Sequence, residues 1–165
     1  MAFQLNSVVP WGRNMEEDKS MFLLNEEDMK KKIVGFGDGP ASFNFEAGLS
    51  EGRYRYHELP NCIPVEENYY DIGLSSHILL LYTQLGFNFH VKAINEMMRV
   101  CKEVRIFPVV DLDANQTNMI SDVIDEFKKK YDVELKATNY QFQKNANKML
   151  LIQKTKEVVE AITQK

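Results

Sequence analysis

The stretch Lys32-Ile33-Val34-Gly35-Phe36-Gly37-Asp38-Gly39-Pro40-Ala41 limits the possible folds more than any other. The apolar run Ile33-Val34 reads as the end of a buried strand. Gly35, Gly37 and Gly39 alternate behind it. With no Cβ in the way, they let the backbone turn sharply and come close to a ligand. Pro40-Ala41 then starts a segment, Ser42 to Ala47, that can open as a helix, since Pro is well tolerated in a first turn. Strand, glycine turn and helix N-terminus make the first βα unit of a nucleotide-binding α/β sheet. Glycine-rich turns also occur as plain loops, so the rest of the chain has to decide between the two.

A chain of 165 residues is one domain with a single buried core. At 44% hydrophobic and 27% charged residues it has the balance of a soluble globular protein. The net charge is -4, and Lys30-Lys31-Lys32 and Lys128-Lys129-Lys130 are short runs beside acids, so nucleic acid is not favoured as a partner. Cys62 and Cys101 form no metal-like pair and read as reduced thiols of a cytoplasmic protein. Met1-Ala2-Phe3-Gln4 does not begin a signal peptide, and no apolar run reaches the length of a membrane span. His57, His77 and His90 are scattered without ligand spacing, so no metal is expected.

The N-terminal arm shows no clear period, and its one Trp, Trp11, stands close to Arg13. The arm either packs Trp11 onto the body or forms a flap over the glycine turn, with Arg13 holding a ligand carboxylate. Asn25 can cap a short helical turn through Asp28. Arg53 to Glu58 alternates as a strand and stops at Leu59-Pro60-Asn61. Asp71-Ile72-Gly73-Leu74 is a short buried strand ending in Ser75-Ser76-His77, and Ile78 to Tyr82 follows as a helical turn or two. Val91 to Lys102 is a helix, with Ile94, Met97, Met98 and Cys101 on one face. Val104 to Val110 is the next strand, left through Asp111-Leu112-Asp113. Thr117 to Tyr131 is a second helix, with Ile120, Val123, Ile124, Phe127 and Tyr131 on one face. Val133 to Ala137 and Met149 to Ile152 are strands joined by a loop from Asn139 to Asn147, and the tail from Thr155 has helical spacing at Val158, Val159 and Ile162. The order is an α/β sheet, parallel except for the last strand.

Three motifs stand in order at strand ends: Gly35-Phe36-Gly37-Asp38-Gly39, His57-Glu58-Leu59-Pro60, and Tyr70-Asp71-Ile72-Gly73-Leu74-Ser75-Ser76-His77. Together they resemble the class I S-adenosylmethionine-dependent methyltransferases, over nearly the whole chain after Leu23. The resemblance implies a Rossmann-like methyltransferase sheet, mostly parallel with an antiparallel C-terminal strand. It implies that Gly35, Phe36, Gly37, Gly39 and Pro40 wrap the amino-acid part of the cofactor S-adenosylmethionine. Glu58 and Leu59 would then lie beside the adenine, and Ser75 and Ser76 near the methyl group. His77 is the candidate general base for a hydroxyl or amine acceptor; the plainer reading is that it caps the strand end. Trp11, Arg13, Tyr82 and Asp111 are the candidates for binding the acceptor, which by default is a small molecule. Asp111 with Asp113 could also hold a cation or simply form a turn.

Two departures stand against the resemblance. The family usually has an acid where Gly35 stands, and often a glycine where Ala41 stands. The interval from Gly39 to Glu58 also has to carry the rest of a helix, a strand and a second helix. A parallel crossover needs about a dozen residues or more, so one crossover fits there and two do not. Either a βα unit has been lost, or an internal segment near Ala47 to Glu51 is omitted, and the omission is favoured. Two other readings compete. A nicotinamide-dinucleotide fold asks for an acid about 20 residues beyond the glycines, where Glu58 stands, but leaves the later motifs unexplained. A non-catalytic remnant acting as a binding module follows if the chain is truly continuous there.

Overall fold

All four residues of β2 (Ile33–Phe36) are buried, as a strand covered on both faces must be. The computed structural model describes residues 2–4, 15–36, 54–141 and 143–155. β4 (Tyr70–Ser76) and β5 (Cys101–Phe107) continue this buried centre. β2 and β4 are parallel, with Ile33 opposite Ile72 and Phe36 opposite Ser75. β4 and β5 are parallel as well, with Gly73 opposite Val104 and Ser76 opposite Phe107. The three strands therefore end together.

Strand side chains alternate between faces, and the core divides accordingly. Val34, Phe36, Val104, Ile106, Leu150 and Ile152 face the two long helices. Ile33, Ile72, Leu74, Phe107, Met149 and Leu151 face Met21, Phe22 and Leu24 on the other side. The result is three layers, with helices on both sides of the sheet.

The helix α2 (Phe87–Val100) buries Ile94, Met97 and Met98 as the spacing predicts. It begins a turn earlier than the expected Val91 and ends earlier too. Cys101, expected on its apolar face, is the first residue of β5, and its N–H donates to the Met97 carbonyl. No loop separates helix from strand. The helix α3 (Asn118–Lys128) is capped by Thr117, whose Oγ1 accepts from the Ile120 N–H at 3.3 Å. It buries Ile120, Val123, Ile124 and Phe127, and Tyr131 stacks on Phe127.

β6 (Asp132–Ala137) and β7 (Lys148–Gln153) are antiparallel, and β7 lies between β5 and β6, antiparallel to both. An antiparallel C-terminal strand is therefore present. The sheet is more mixed than expected, because β1 (Ala2–Gln4) pairs antiparallel with β2 and with β3 (Tyr54–Tyr56). The full order is β3-β1-β2-β4-β5-β7-β6. The open side of β2, where a lost βα unit would leave an unpaired edge, is taken by β1.

The helix α1 (Met15–Phe22) covers the second face, with Glu16, Glu17 and Asp18 in its first turn, where the helix dipole favours acids. Asn25 Oδ1 accepts from the Asp28 N–H at 2.9 Å, as the cap reading expects, although the short 3-10 turn itself is Asp28–Lys30. Ile78 to Tyr82 is a correction: it forms turns and no helix, with His77 and Leu80 at left-handed φ of 59° and 67°. Val109 and Val110 lie past the strand expected to include them. The expected helix from Ser42 to Ala47, the interval near 47–51 and the expected tail helix from 156 onward lie outside the described residues.

Candidate functional site

In open α/β sheets, ligands bind beyond the carboxyl ends of parallel strands. Here that edge is formed by Phe36, Ser75-Ser76 and Phe107, brought side by side by the register of β2, β4 and β5. Gly35 lies one residue in from the edge, opposite Leu74. Phe36, Ser75 and Ser76 are all buried. Among the described residues, Ser75 Oγ is enclosed without a hydrogen-bond partner, which is costly for a hydroxyl one residue from the end of β4.

His77 leaves β4 in the left-handed region, where histidine is more often found than bulkier residues. Its N–H donates to the Phe107 carbonyl at 2.8 Å. Its ring meets Phe107 edge-on at 6.0 Å between centroids, and Phe107 meets Tyr140 in the same way at 5.7 Å. The strand end and an aromatic pair thus fix the imidazole. Leu79, Leu80 and Leu81 anchor the following loop in the core, while Tyr82 is exposed. α2 starts from this loop, so its first turn also lies at the carboxyl edge.

That turn carries His90, which the sequence reading set aside with the other histidines. It is fully buried, its Nδ1–H donates to the Gly86 carbonyl at 2.8 Å, and its Nε2 is enclosed without a partner among the described residues. Burial holds its pKa below the ordinary value, against the raising effect of the Gly86 bond, and so keeps the ring neutral. The signal available in the sequence was a histidine three residues from Ala93 and four from Ile94, on the apolar stripe of a helix.

Glu58 follows β3 and is exposed, while Leu59 is buried. β3 runs in the same direction as β2, so Glu58 lies at the same sheet edge, with β1 between the two strands. The segment after Glu58 is tied to α2 by Glu96 and Arg99. Glu96 Oε1 accepts from the Ile63 N–H at 2.6 Å, and Arg99 donates to the carbonyls of Ile63 and Val65 at 2.7 and 2.9 Å. Burial alone would raise the Glu96 pKa, but the bonds from Arg99 and Ile63 outweigh it and hold the carboxyl below its usual value.

Asp111 serves its own loop: Oδ1 accepts from the N–H groups of Asp113 and Asn115 at 3.0 and 2.8 Å. This is the turn-forming reading. Beside it, beyond the end of β5, Val109, Val110, Gln116, Asn145 and Asn147 line a cavity of about 260 Å³. Gly37, Gly39, Pro40, Trp11 and Arg13 lie outside the described residues. Among the described residues, no group of three or more His, Cys, Asp or Glu is arranged to hold a metal. No described helix is long and apolar enough to cross a membrane.

No family model matches the chain, and no solved structure matches it. A protein of Methanocaldococcus jannaschii, designated uncharacterized protein MJ0045, is 34% identical over 103 residues. The match covers 62% of this chain and 44% of the relative, so it spans less than half of the relative's length.

Proposed function

We propose that the protein is an S-adenosylmethionine-dependent methyltransferase of the class I kind, acting on a small-molecule acceptor. One observation carries this reading. β2 and β4 are adjacent, parallel and in register, so Phe36, which Gly37 follows in the sequence, stands beside Ser75 at the carboxyl edge. Two of the three motifs of the resemblance thereby meet at one end of the sheet. The enclosed Ser75 hydroxyl supports the reading as well, because a polar ligand at this edge gives it a partner.

When bound, S-adenosylmethionine supplies an electrophilic methyl group on a sulfonium. The chain's own part is to align donor and acceptor and to keep water out, which in an in-line displacement is most of the work. Gly35 and Phe36 bring the backbone to the ligand, Ser75 and Ser76 offer hydroxyls, and Glu58 accepts a hydrogen bond from the adenosine end. His77 takes the acceptor's proton at a ring nitrogen, as histidine is suited to do near neutral pH.

Calorimetric titration with S-adenosylmethionine and with its demethylated product tests the reading. Saturable binding is expected, and Gly37→Val is expected to abolish it, since a Cβ there fills space meant for the ligand. Absence of binding by both compounds, or tight binding of a nicotinamide dinucleotide in their place, overturns it.

A further inference from the structure

At the amino-terminal edge of the sheet, opposite the candidate site, the starts of β4, β5 and β6 and the end of β7 line a cavity of about 380 Å³. Small-molecule sites fall in this range, roughly 300–1,000 Å³. Most of its charged groups are answered within the protein. Lys31 Nζ is 2.8 Å from Asp28 Oδ1, and Lys102 Nζ is 2.7 Å from Asp71 Oδ1. Glu103 accepts from Arg105 Nε and from Gln153 Nε2, both at 2.5 Å.

Two lining charges of opposite sign are left. Lys154 is half-buried and donates to Asn68 Oδ1, a neutral acceptor; among the described residues it has no carboxylate partner. Burial lowers its pKa, and the field of the nearby Glu67 carboxylate, which is not within ion-pair distance, only partly offsets that loss of water. Asp132 is exposed, and its side chain has no partner among the described residues. The two are close in the sheet, because Asp132 pairs with Gln153, the residue before Lys154.

We propose that this cavity binds a small zwitterion of the α-amino-acid kind, its carboxylate on Lys154 and its ammonium on Asp132. Asp71 and Glu103 stand against a dianion such as phosphate, and a bare carboxylate leaves Asp132 unanswered. The site is separate from the carboxyl edge and does not depend on the methyltransferase reading.

The test is an NMR titration of the whole 165-residue chain with glycine, acetate and inorganic phosphate, following the amides of Asp132 and Lys154. Glycine is expected to saturate, acetate to bind more weakly, and phosphate not to bind. Lys154→Met should weaken glycine binding roughly tenfold or more, the size of a lost charged hydrogen bond. Asp132→Asn should bring glycine down to the affinity of acetate and leave acetate unchanged. Amides far from the cavity report in the same spectra that each variant is folded. The proposal is overturned if glycine shows no saturation, if it binds Lys154→Met as well as the parent, or if phosphate binds as tightly as glycine. Since no nucleoside is added, this result and the cofactor titration can fail independently.

Discussion

Gly73 has no room for a side chain. A Cβ built there lies 2.7 Å from Cys101 Sγ and 3.1 Å from Phe36 Cε2, and both neighbours are buried. Overpacking of this kind costs about 1–3 kcal/mol. Gly73→Ala is therefore expected to lower the urea midpoint without changing the slope. Cys101→Ala in the same chain should recover part of the loss, because residues in contact do not add independently. If Gly73→Ala alone is neutral, the close approach is not rigid and the argument fails. The glycine was legible in the sequence as part of a strand; its neighbour was not. Helical spacing from Ile94 assigns Cys101 to the helix face, and only the missing loop between α2 and β5 brings its sulfur under β4. His77 was likewise legible as a strand-end residue, whereas its left-handed backbone and the bond from its N–H to the Phe107 carbonyl, at the end of the next strand, were not.

At the scale of elements, Arg105 is the pin between α1 and the sheet. It alternates onto the α1 face of β5, where its Nη1 donates to the carbonyls of Phe22 and Leu23 at 2.8 and 3.1 Å. Its Nη2 meets Asp28 Oδ2 at 3.0 Å. It thus satisfies the last carbonyls of a helix that has no glycine cap. Arg105→Leu frees those carbonyls and removes one of the cations facing the buried Asp28. Breaking a buried pair from one side costs about 3–5 kcal/mol. Denaturant unfolding should register a loss of that order, and hydrogen exchange should speed up in α1 more than in α2. Unchanged protection of α1 would show that Met21 and Phe22 hold it without the arginine. Neither α1 nor β1 was legible in the sequence, for the same reason. Eight residues and three residues are shorter than the window over which a hydrophobic period can be read, and both elements are fixed by partners far along the chain. α3 was legible nearly to its ends, because Thr117 announces the start and four apolar residues mark one face.

For the molecule as a whole, acid should act in two steps. Burial holds the His90 pKa below its ordinary value, so the unfolded chain takes up a proton first, near about pH 6.5. Stability then falls as the pH drops below that value. Asp28, Asp71 and Glu96 form the second step. Burial raises each pKa, but bonds from Lys31, Lys102 and Arg99 respectively outweigh it, so each folded value lies below the ordinary one. Their contribution is present above the unfolded pKa, about 4, and is lost as the pH falls through the folded values. Unfolding free energies measured across this range should show both steps, and His90→Leu should remove only the upper one. An upper step that persists in His90→Leu assigns it to another histidine. The neighbour relations of the strands were the least legible part of the fold. Hydrophobic alternation marks a strand but does not say which strand lies beside it, and the placement of β7 between β5 and β6 follows from long-range pairing alone. That placement has a consequence for a chain made from its N-terminus onward. β6 is synthesised before β7 yet has no strand to pair with until β7 arrives, and β5 keeps an open edge for the same interval. A nascent chain halted before Lys148 would present Val104 and Ile106 beside unpaired backbone, a surface on which other chains can add strands. Only when Lys148–Gln153 has been made can the open edge of β5 be closed.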